Sequence, residues 1–489
     1  MKRIANCFLL LMAALAAWAQ ADYEQYTRDL PFPMDPVAVP EFPDRQVSIT
    51  DFGAVGDGQQ LCTEAFARAI ETLSAQGGGH LIVPQGIWHT GPIVLKSNID
   101  LHLEAGAVIL FAADEDLYPL VETSFEGLDT RRCQSPLSAI NAENIAVTGL
   151  GVIDGNGQYW RPLRRDKVTD KQWKNLTSRP GGFLLRDDFW VPSESYARGA
   201  KDADSNIPKV KDEAEWNTMK RFLRPVLVSL VGCKKVLLQG VVFQNSPAWN
   251  LHPLMCEDLI IDHVLVMNPS YSQNGDALDL ESCRRVLILD SRFNAGDDGI
   301  CLKSGKNEDG RRRGRPCEQV VVDGCTVFYG HGGFVVGSEM SGGVRNIMVR
   351  NCQFLGTQVG LRFKSTRGRG GVVENIFVDG ISMTDIETYA LTFNMYYRGI
   401  SVAEVLALGL KDEVVEPAPV DETTPVFRNI DIRNVRCNNA LLAMEFNGLP
   451  EMPIDNIRLK NINIIADYDA TFRYCRNITK EDVRIQLKK

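Results

Sequence analysis

Several things are scarce in this 489-residue chain, and each scarcity excludes something. The 12 cysteines are scattered with no tight C-x-x-C pair, which leaves no zinc-site spacing, and a core of this size needs no disulfide framework. Past the first 21 residues no apolar run approaches membrane length, so no membrane insertion is expected. Positive charge is in deficit: 53 Lys and Arg against 62 Asp and Glu give a formal −9, which argues against nonspecific affinity for nucleic acid or an acidic membrane. An acidic average still leaves room for a basic cleft. Wholesale disorder is excluded as well, because 44% apolar and 24% charged residues are ordinary for a globular chain with an ample core.

Among what is present, Lys2 and Arg3 precede an apolar stretch from Cys7 through Ala17 and small residues up to Ala21, the layout of a cleaved signal peptide over 1–21. Export to the periplasm or the exterior follows from it. Eleven cysteines remain beyond the leader, several at apolar strand positions, which reads as buried thiols; pairing after export stays open. Residues 22–46 hold Pro31, Pro33, Pro36, Pro40 and Pro43 and predict an extended lead-in. One body is expected over 47–489. Within it, Thr63 to Ala75 sets Phe66, Ala69, Ile70 and Leu73 on one helical face, a helix suited to capping a solenoid, and Gly77-Gly78-Gly79 ends it.

Beyond residue 225 eight segments share one form, in which two short apolar strands flank a polar or glycine turn: VLLQGVVF (236–243), LIIDHVLV (259–266), VLILDSRF (286–293), VVVDGCTVF (320–328), IMVRNCQF (347–354), IFVDGISM (376–383), IDIRNVRC (430–437) and IRLKNINI (457–464). Their starts lie 23, 27, 34, 27, 29, 54 and 27 residues apart, and 54 reads as two coils of 27. Strands this short cannot bury an apolar face alone, so successive coils stack at about 4.8 Å around a common core. The predicted fold is all-β, a single-stranded right-handed parallel β-helix with an N-terminal capping helix. A leucine-rich repeat is excluded by the missing leucine pattern and its shorter period. Insertions near 156–222 and 400–426 break the rhythm and are read as cleft walls, with a decorated solvent face as the alternative.

Chemistry gathers between Asn245 and Arg369. Asn274-Gly275-Asp276-Ala277-Leu278-Asp279 is followed by Gly296-Asp297-Asp298-Gly299, then Gly330-His331-Gly332, then Arg362-Phe363-Lys364, each about one coil after the last. Asp297 lies 11 residues after Val286 and His331 lies 11 after Val320, so stacking places carboxylate and imidazole side by side. Arg362 and Lys364 alternate with inward Leu361 and Phe363 and should face outward beside them. Together these groups fit glycoside hydrolysis: one carboxylic acid protonates the leaving oxygen, other carboxylates activate water, and a cationic pair holds a uronate. Adjacent Asp297 and Asp298 are expected to sit closer than the roughly 6.5 to 9.5 Å usual for inverting acid and base.

Read singly, these residues also have plainer uses. His331 fits a turn, and Arg362 and Lys364 fit a solvated strand face. Asp279 is read as structural. Trp249 fits sugar stacking or core packing equally, and Arg311-Arg312-Arg313-Gly314-Arg315 fits a polyanion contact or a solvated loop.

With the four motifs in order, the chain resembles glycoside hydrolase family 28, the polygalacturonase family, whose pattern reads here NGD (274–276), GDDG (296–299), GHG (330–332) and RFK (362–364). The resemblance runs from ITDFGAVGDG near residue 49 through the C-terminal coils. It implies an inverting hydrolase without metal or cofactor, acting on α-linked galacturonate in pectic polysaccharide or oligogalacturonides, as a monomer. By the same resemblance Asp297 is the general acid, Asp276 and Asp298 activate water, His331 tunes the acid, Arg362 and Lys364 grip the substrate carboxylate, and Asn274 joins them in binding. Gly275 stands where many members have Thr, and Phe363 where many have Ile; neither removes a chemical group. Rhamnogalacturonan-cleaving relatives often lack the GHG and RFK elements, so a galacturonate at the cleaved bond is favoured. Exo action is expected from the 156–222 insertion, endo action being the alternative. The rivals are a calcium-dependent, pectate-lyase-like β-helix that eliminates, and a noncatalytic glycan-binding solenoid.

Overall fold

A computed structural model describes residues 22–201, 203–204, 206–210, 212–397 and 415–488. The leader call at 1–21 lies outside the described residues, as does most of the second insertion.

Among the described residues thirty-one strands join one sheet that winds as a right-handed parallel β-helix. Each repeat read from the sequence is one corner of a coil: Lys234–Gln239 and Val242–Gln244 form two strands bent at Gly240, whose φ of 77° few residues other than glycine adopt cheaply. The repeat starts are register partners from coil to coil, Val236 on Leu259, then Val286, Val320, Ile347, Ile376, Ile430 and Ile457. One expectation is corrected here. Ile376 pairs directly with Ile430, so the 54-residue step is a single coil carrying a long insertion and not two coils. Spacing alone cannot separate these cases, because a loop grows without disturbing the stack that hydrogen bonding fixes.

Inward side chains form continuous columns, such as Leu238, Ile261, Ile288, Val322, Val349 and Val378, all at most 1% exposed. At about 25 cal/mol per Å² of apolar surface this burial is the main favourable term. Helix α1 (Thr63–Ala75) turns Phe66, Ala69, Ile70 and Leu73 onto the first coil and closes the open end. The lead-in crosses the outside of the coils, where Tyr23 and Val37 pack on Ile260, Leu287 and Val321; it opens on a short 3-10 helix, Tyr23–Tyr26, and not on the extended chain expected from 22 onward.

Two additions rise from the face that carries the polar motifs. The 156–222 insertion folds into helices α2 (Asp170–Thr177) and α3 (Glu194–Lys201), a three-stranded antiparallel sheet and a small core built on Trp160, Val191, Tyr196 and Phe222. Beside it stands an antiparallel hairpin, Leu120–Phe125 and Leu128–Cys133, that the sequence did not announce. Its Phe125 lies 4.7 Å from the ring of Trp249. Trp249 is 2% exposed and is therefore packing, not a sugar platform. The basic run is likewise structural: Arg311 donates to the carbonyls of Gly368 and Arg369, Arg313 pairs with Glu281 and Asp129, and Arg315 pairs with Glu257.

Candidate active site

Stacking brings the four motifs together. Asp298 opens the strand Asp298–Lys303 and pairs with Gly332 of the strand Gly332–Val336, while the carbonyl of Asp298 accepts the amide of Ala277 from the coil before. Asp276, Asp297 and Asp298 each offer a carboxylate oxygen within 4.8 Å of the others, tighter than the usual inverting separation, as the adjacent aspartates imply. His331 Nδ1 is 2.9 Å from Asp297 Oδ1. Lys364 Nζ donates to Asp298 Oδ2 at 2.7 Å, and Arg362 Nη1 lies 3.5 Å from Asp298 Oδ1. Leu361 and Phe363 point inward, as alternation requires, and Phe363 stacks on Phe393 at 4.3 Å. This apolar backing packs the strand that carries the two cations against the core.

Glycine makes the approach possible at two of the motifs. Gly330 has φ 121°, and a side chain there would meet the Asp297 carbonyl at 2.8 Å, where the His331 amide now donates at 2.6 Å. A Cβ on Gly275 would fall 1.9 Å from Ser272 Oγ, so the turn as folded leaves no room for a side chain there.

The electrostatics are uneven. Burial works to raise Asp297, but His331, Lys364 and Arg362 outweigh it and hold its carboxyl well below the usual range. His331 is raised, first by Asp297. Asp276 goes the other way: burial and then the charge of Asp279 push it well up, and its Oδ1 is buried without a hydrogen-bond donor among the described residues. Three clustered carboxylates would also suit a divalent cation, but Lys364, Arg362 and His331 already occupy two of the three. The charge balance therefore favours an acid/base site over a calcium cage.

Asn274 stands at the border with the insertion, where its Oδ1 accepts from Arg224 Nη2 at 2.8 Å and Asn206 Nδ2 at 3.2 Å. Three neighbours escaped the sequence reading. Tyr397 presents its ring 5.4 Å from both the Arg362 guanidinium and the Lys364 ammonium. It follows no motif and lies beside a long insertion, so nothing in the sequence pointed to it. Lys303 and Glu339 pair at 2.9 Å behind the cluster, and Asp279 lies 3.4 Å from the same ammonium, in keeping with its structural reading. For Lys303 a signal existed: it shares the strand of Asp298 and alternates outward.

A parallel β-helix whose outer face gathers three acids, an imidazole and a buried cationic pair defines a carbohydrate-cleaving acid/base enzyme. The comparisons agree. The model of glycosyl hydrolases family 28 matches residues 195–484, and the chain belongs to that family; it is a glycosidase. A hyperthermoactive exopolygalacturonase from Thermotoga maritima, solved by crystallography, is 33% identical with a TM-score of 0.72 over 91% of this chain and 94% of that one. A probable polygalacturonase of Vitis vinifera is 29% identical over 427 residues, 85% of this chain and 74% of the relative. The exo-poly-alpha-D-galacturonosidase of Dickeya chrysanthemi is 26% identical over 453 residues, 90% and 71% of the two chains.

Proposed function

We propose that the protein hydrolyses α-1,4-galacturonosidic bonds of pectic chains with inversion, releasing short products from one chain end. The observation that carries this reading is the convergence of Asp276, Asp297 and Asp298 within 4.8 Å beside the buried Arg362 and Lys364. Asp297 gives its proton to the glycosidic oxygen as the bond to the anomeric carbon breaks. Asp276 and Asp298 take a proton from the water that attacks the opposite face. His331 tunes Asp297, and Arg362 and Lys364, flanked by Tyr397, grip the uronate carboxylate. Asn274, its amide oriented by Arg224, offers a hydrogen bond to a sugar hydroxyl.

Substrate binding itself readies the acid. In the free protein burial raises Asp297, but His331 first and then Lys364 and Arg362 outweigh it and hold its carboxyl low. A uronate carboxylate seated on Arg362 and Lys364 offsets their charge, so the proton affinity of Asp297 rises as the sugar arrives. A methyl ester brings no such charge.

The exo reading rests on the wall. On the coil preceding Asn274 the outer face is covered by Phe125 and Val226 over Trp249, and Asn206 of the insertion meets both Asn274 and Glu126. A groove closed on this side accepts a chain end. Reading residues 1–21 as a leader, we place the enzyme outside the cytoplasm, and we take it to be a monomer; no helix of the described residues is long and apolar enough to cross a membrane.

Polygalacturonate digested by the purified protein tests the whole reading at once. Saturated monomer or dimer from the first minutes, with the inverted anomer visible by proton NMR, is the expected result. An ultraviolet-absorbing unsaturated product would establish elimination instead, and an early ladder of oligomers would establish endo action.

A further inference from the structure

Two of the three clustered carboxylates have a cation in contact: Asp297 has His331, and Asp298 has Lys364 and Arg362. Asp276 has none in contact among the described residues, although it is only 3% exposed. Asp279, three residues on, is wholly buried, and among the described residues neither of its oxygens has a hydrogen-bond donor in good geometry. The group facing it is Lys303, whose ammonium lies 3.4 Å from Asp279 Oδ1, donates to Glu339 Oε2 at 2.9 Å and sits 4.8 Å from the Trp249 ring.

The position of this ammonium is unusual. By register Lys303 is the neighbour of Glu281, while Asp279 is the neighbour of Cys301, so the lysine reaches Asp279 diagonally. Glu281 makes no use of it, being held by His252 at 2.9 Å and Arg313 at 2.7 Å. Burying an ammonium is unfavourable unless its partners offset the lost hydration, and an apolar side chain of similar volume often stabilises a fold as well. Stability alone therefore does not account for a lysine that is 4% exposed and shielded by Trp249.

We propose that Lys303 is a positioning residue for the hydrolysis, the counter-ion that balances Asp276 and Asp279 together from behind the cluster without touching the sugar. The proposal rests on the acid/base reading above. The charged groups around Asp276 are Asp279 on its own coil, then Asp297, Asp298 and Lys303 on the next. Beyond them come His331 and Glu339, and then Arg362 and Lys364. From the preceding coil the contact is the uncharged Asn250, whose amide donates to the Asp276 carbonyl at 2.9 Å. Of these groups Asp279, Asp297 and Asp298 disfavour an ionised Asp276, and Lys303 is the cation that favours it.

A water-activating Asp276 must be ionised, so removing Lys303 should raise the pH below which the enzyme fails. The full chain is compared with Lys303→Met, Lys303→Arg and the double variant Lys303→Met/Asp279→Asn, with kcat and KM followed against pH. In Lys303→Met the acid limb of kcat moves up by about one pH unit or more, roughly a tenfold loss on that limb with recovery at higher pH and little change in KM. Lys303→Arg keeps the wild-type limb, and so does the double variant, in which the lost ammonium and the lost Asp279 charge offset each other. An equal fractional loss at every pH, or a double variant whose limb is displaced, overturns the proposal. Should Lys303→Met not fold, the charge-balanced double variant still decides by the position of its limb. The Asp276 carboxyl carbon, assigned with Asp276→Asn, reports the same midpoint by NMR without substrate: a rise in Lys303→Met supports the proposal and an unmoved midpoint sinks it. If the parent protein releases no uronate from pectic polymers, the hydrolase reading fails, while this midpoint still judges Lys303.

Discussion

The two faces of the same strands obey opposite rules. Inward, each coil repeats its neighbour: Ile261, Ile288, Val322 and Val349 stack in one column, and any aliphatic side chain of similar size would serve. Outward on the motif-bearing face, the column running through Asp279, Cys301, Val335 and Arg362 repeats nothing, and its charged members are nearly as deeply buried. The first column stabilises the stack through dispersion and exclusion of water. The second costs desolvation that only well-placed partners offset. One backbone thus supplies both a redundant core and an irreplaceable surface.

The sharpest way to break this comparison is on the outer face. Asp297→Asn should lower kcat by about 10³-fold or more, with melting temperature little changed, because it removes the proposed acid and leaves the columns intact. Reducing-sugar release and thermal melting check the two halves. Activity equal to wild type would end the assignment of the acid.

The inner face should respond in the opposite way. Phe393 stacks on Phe363 at 4.3 Å and packs on Phe446 at 4.4 Å, so Phe393→Ala should cost about 3–5 kcal/mol of stability, read by denaturant unfolding. The folded fraction keeps most of its kcat unless the strand bearing Arg362 and Lys364 shifts.

A smaller effect joins the two faces. The folded-state pKa of His331 is raised, chiefly by Asp297, so its contribution to stability is complete below the unfolded value near 6.5 and is lost as pH rises through the higher folded value. His331→Ala should flatten that dependence. The imidazole is about a third exposed (35%), and solvent screening keeps the effect below about 1 kcal/mol. Chemical denaturation between neutral and mildly alkaline pH measures it.

Smallest of all is Arg312→Ala. That side chain is 62% exposed, and its pairs with Asp129 and Asp309 should contribute within about 0.5 kcal/mol. A larger loss in unfolding would mean that the hairpin depends on surface charge more than packing implies.

Legibility differed between the same two faces. A column of aliphatics leaves a periodic trace, so the eight repeat starts proved to be register partners, and Asp297 and His331 met because they share an offset from them. The 54-residue step misled because period counts residues while register is set by hydrogen bonds, and a loop changes only the first. The hairpin over Trp249 left no trace, since its strands answer to a wall outside the coil and not to the repeat. Tyr397 was invisible for the same reason.

By itself the sequence determined the winding of the chain and the meeting of its acids, because stacking turns equal offsets along the chain into neighbours in space. Only the tertiary structure decided which cation answers which carboxylate, that Trp249 lies beneath Phe125, and that Asp276 has no cation in contact among the described residues. These depend on diagonal reach between coils and on loops folding back over the face, and neither carries a period that a linear text could show.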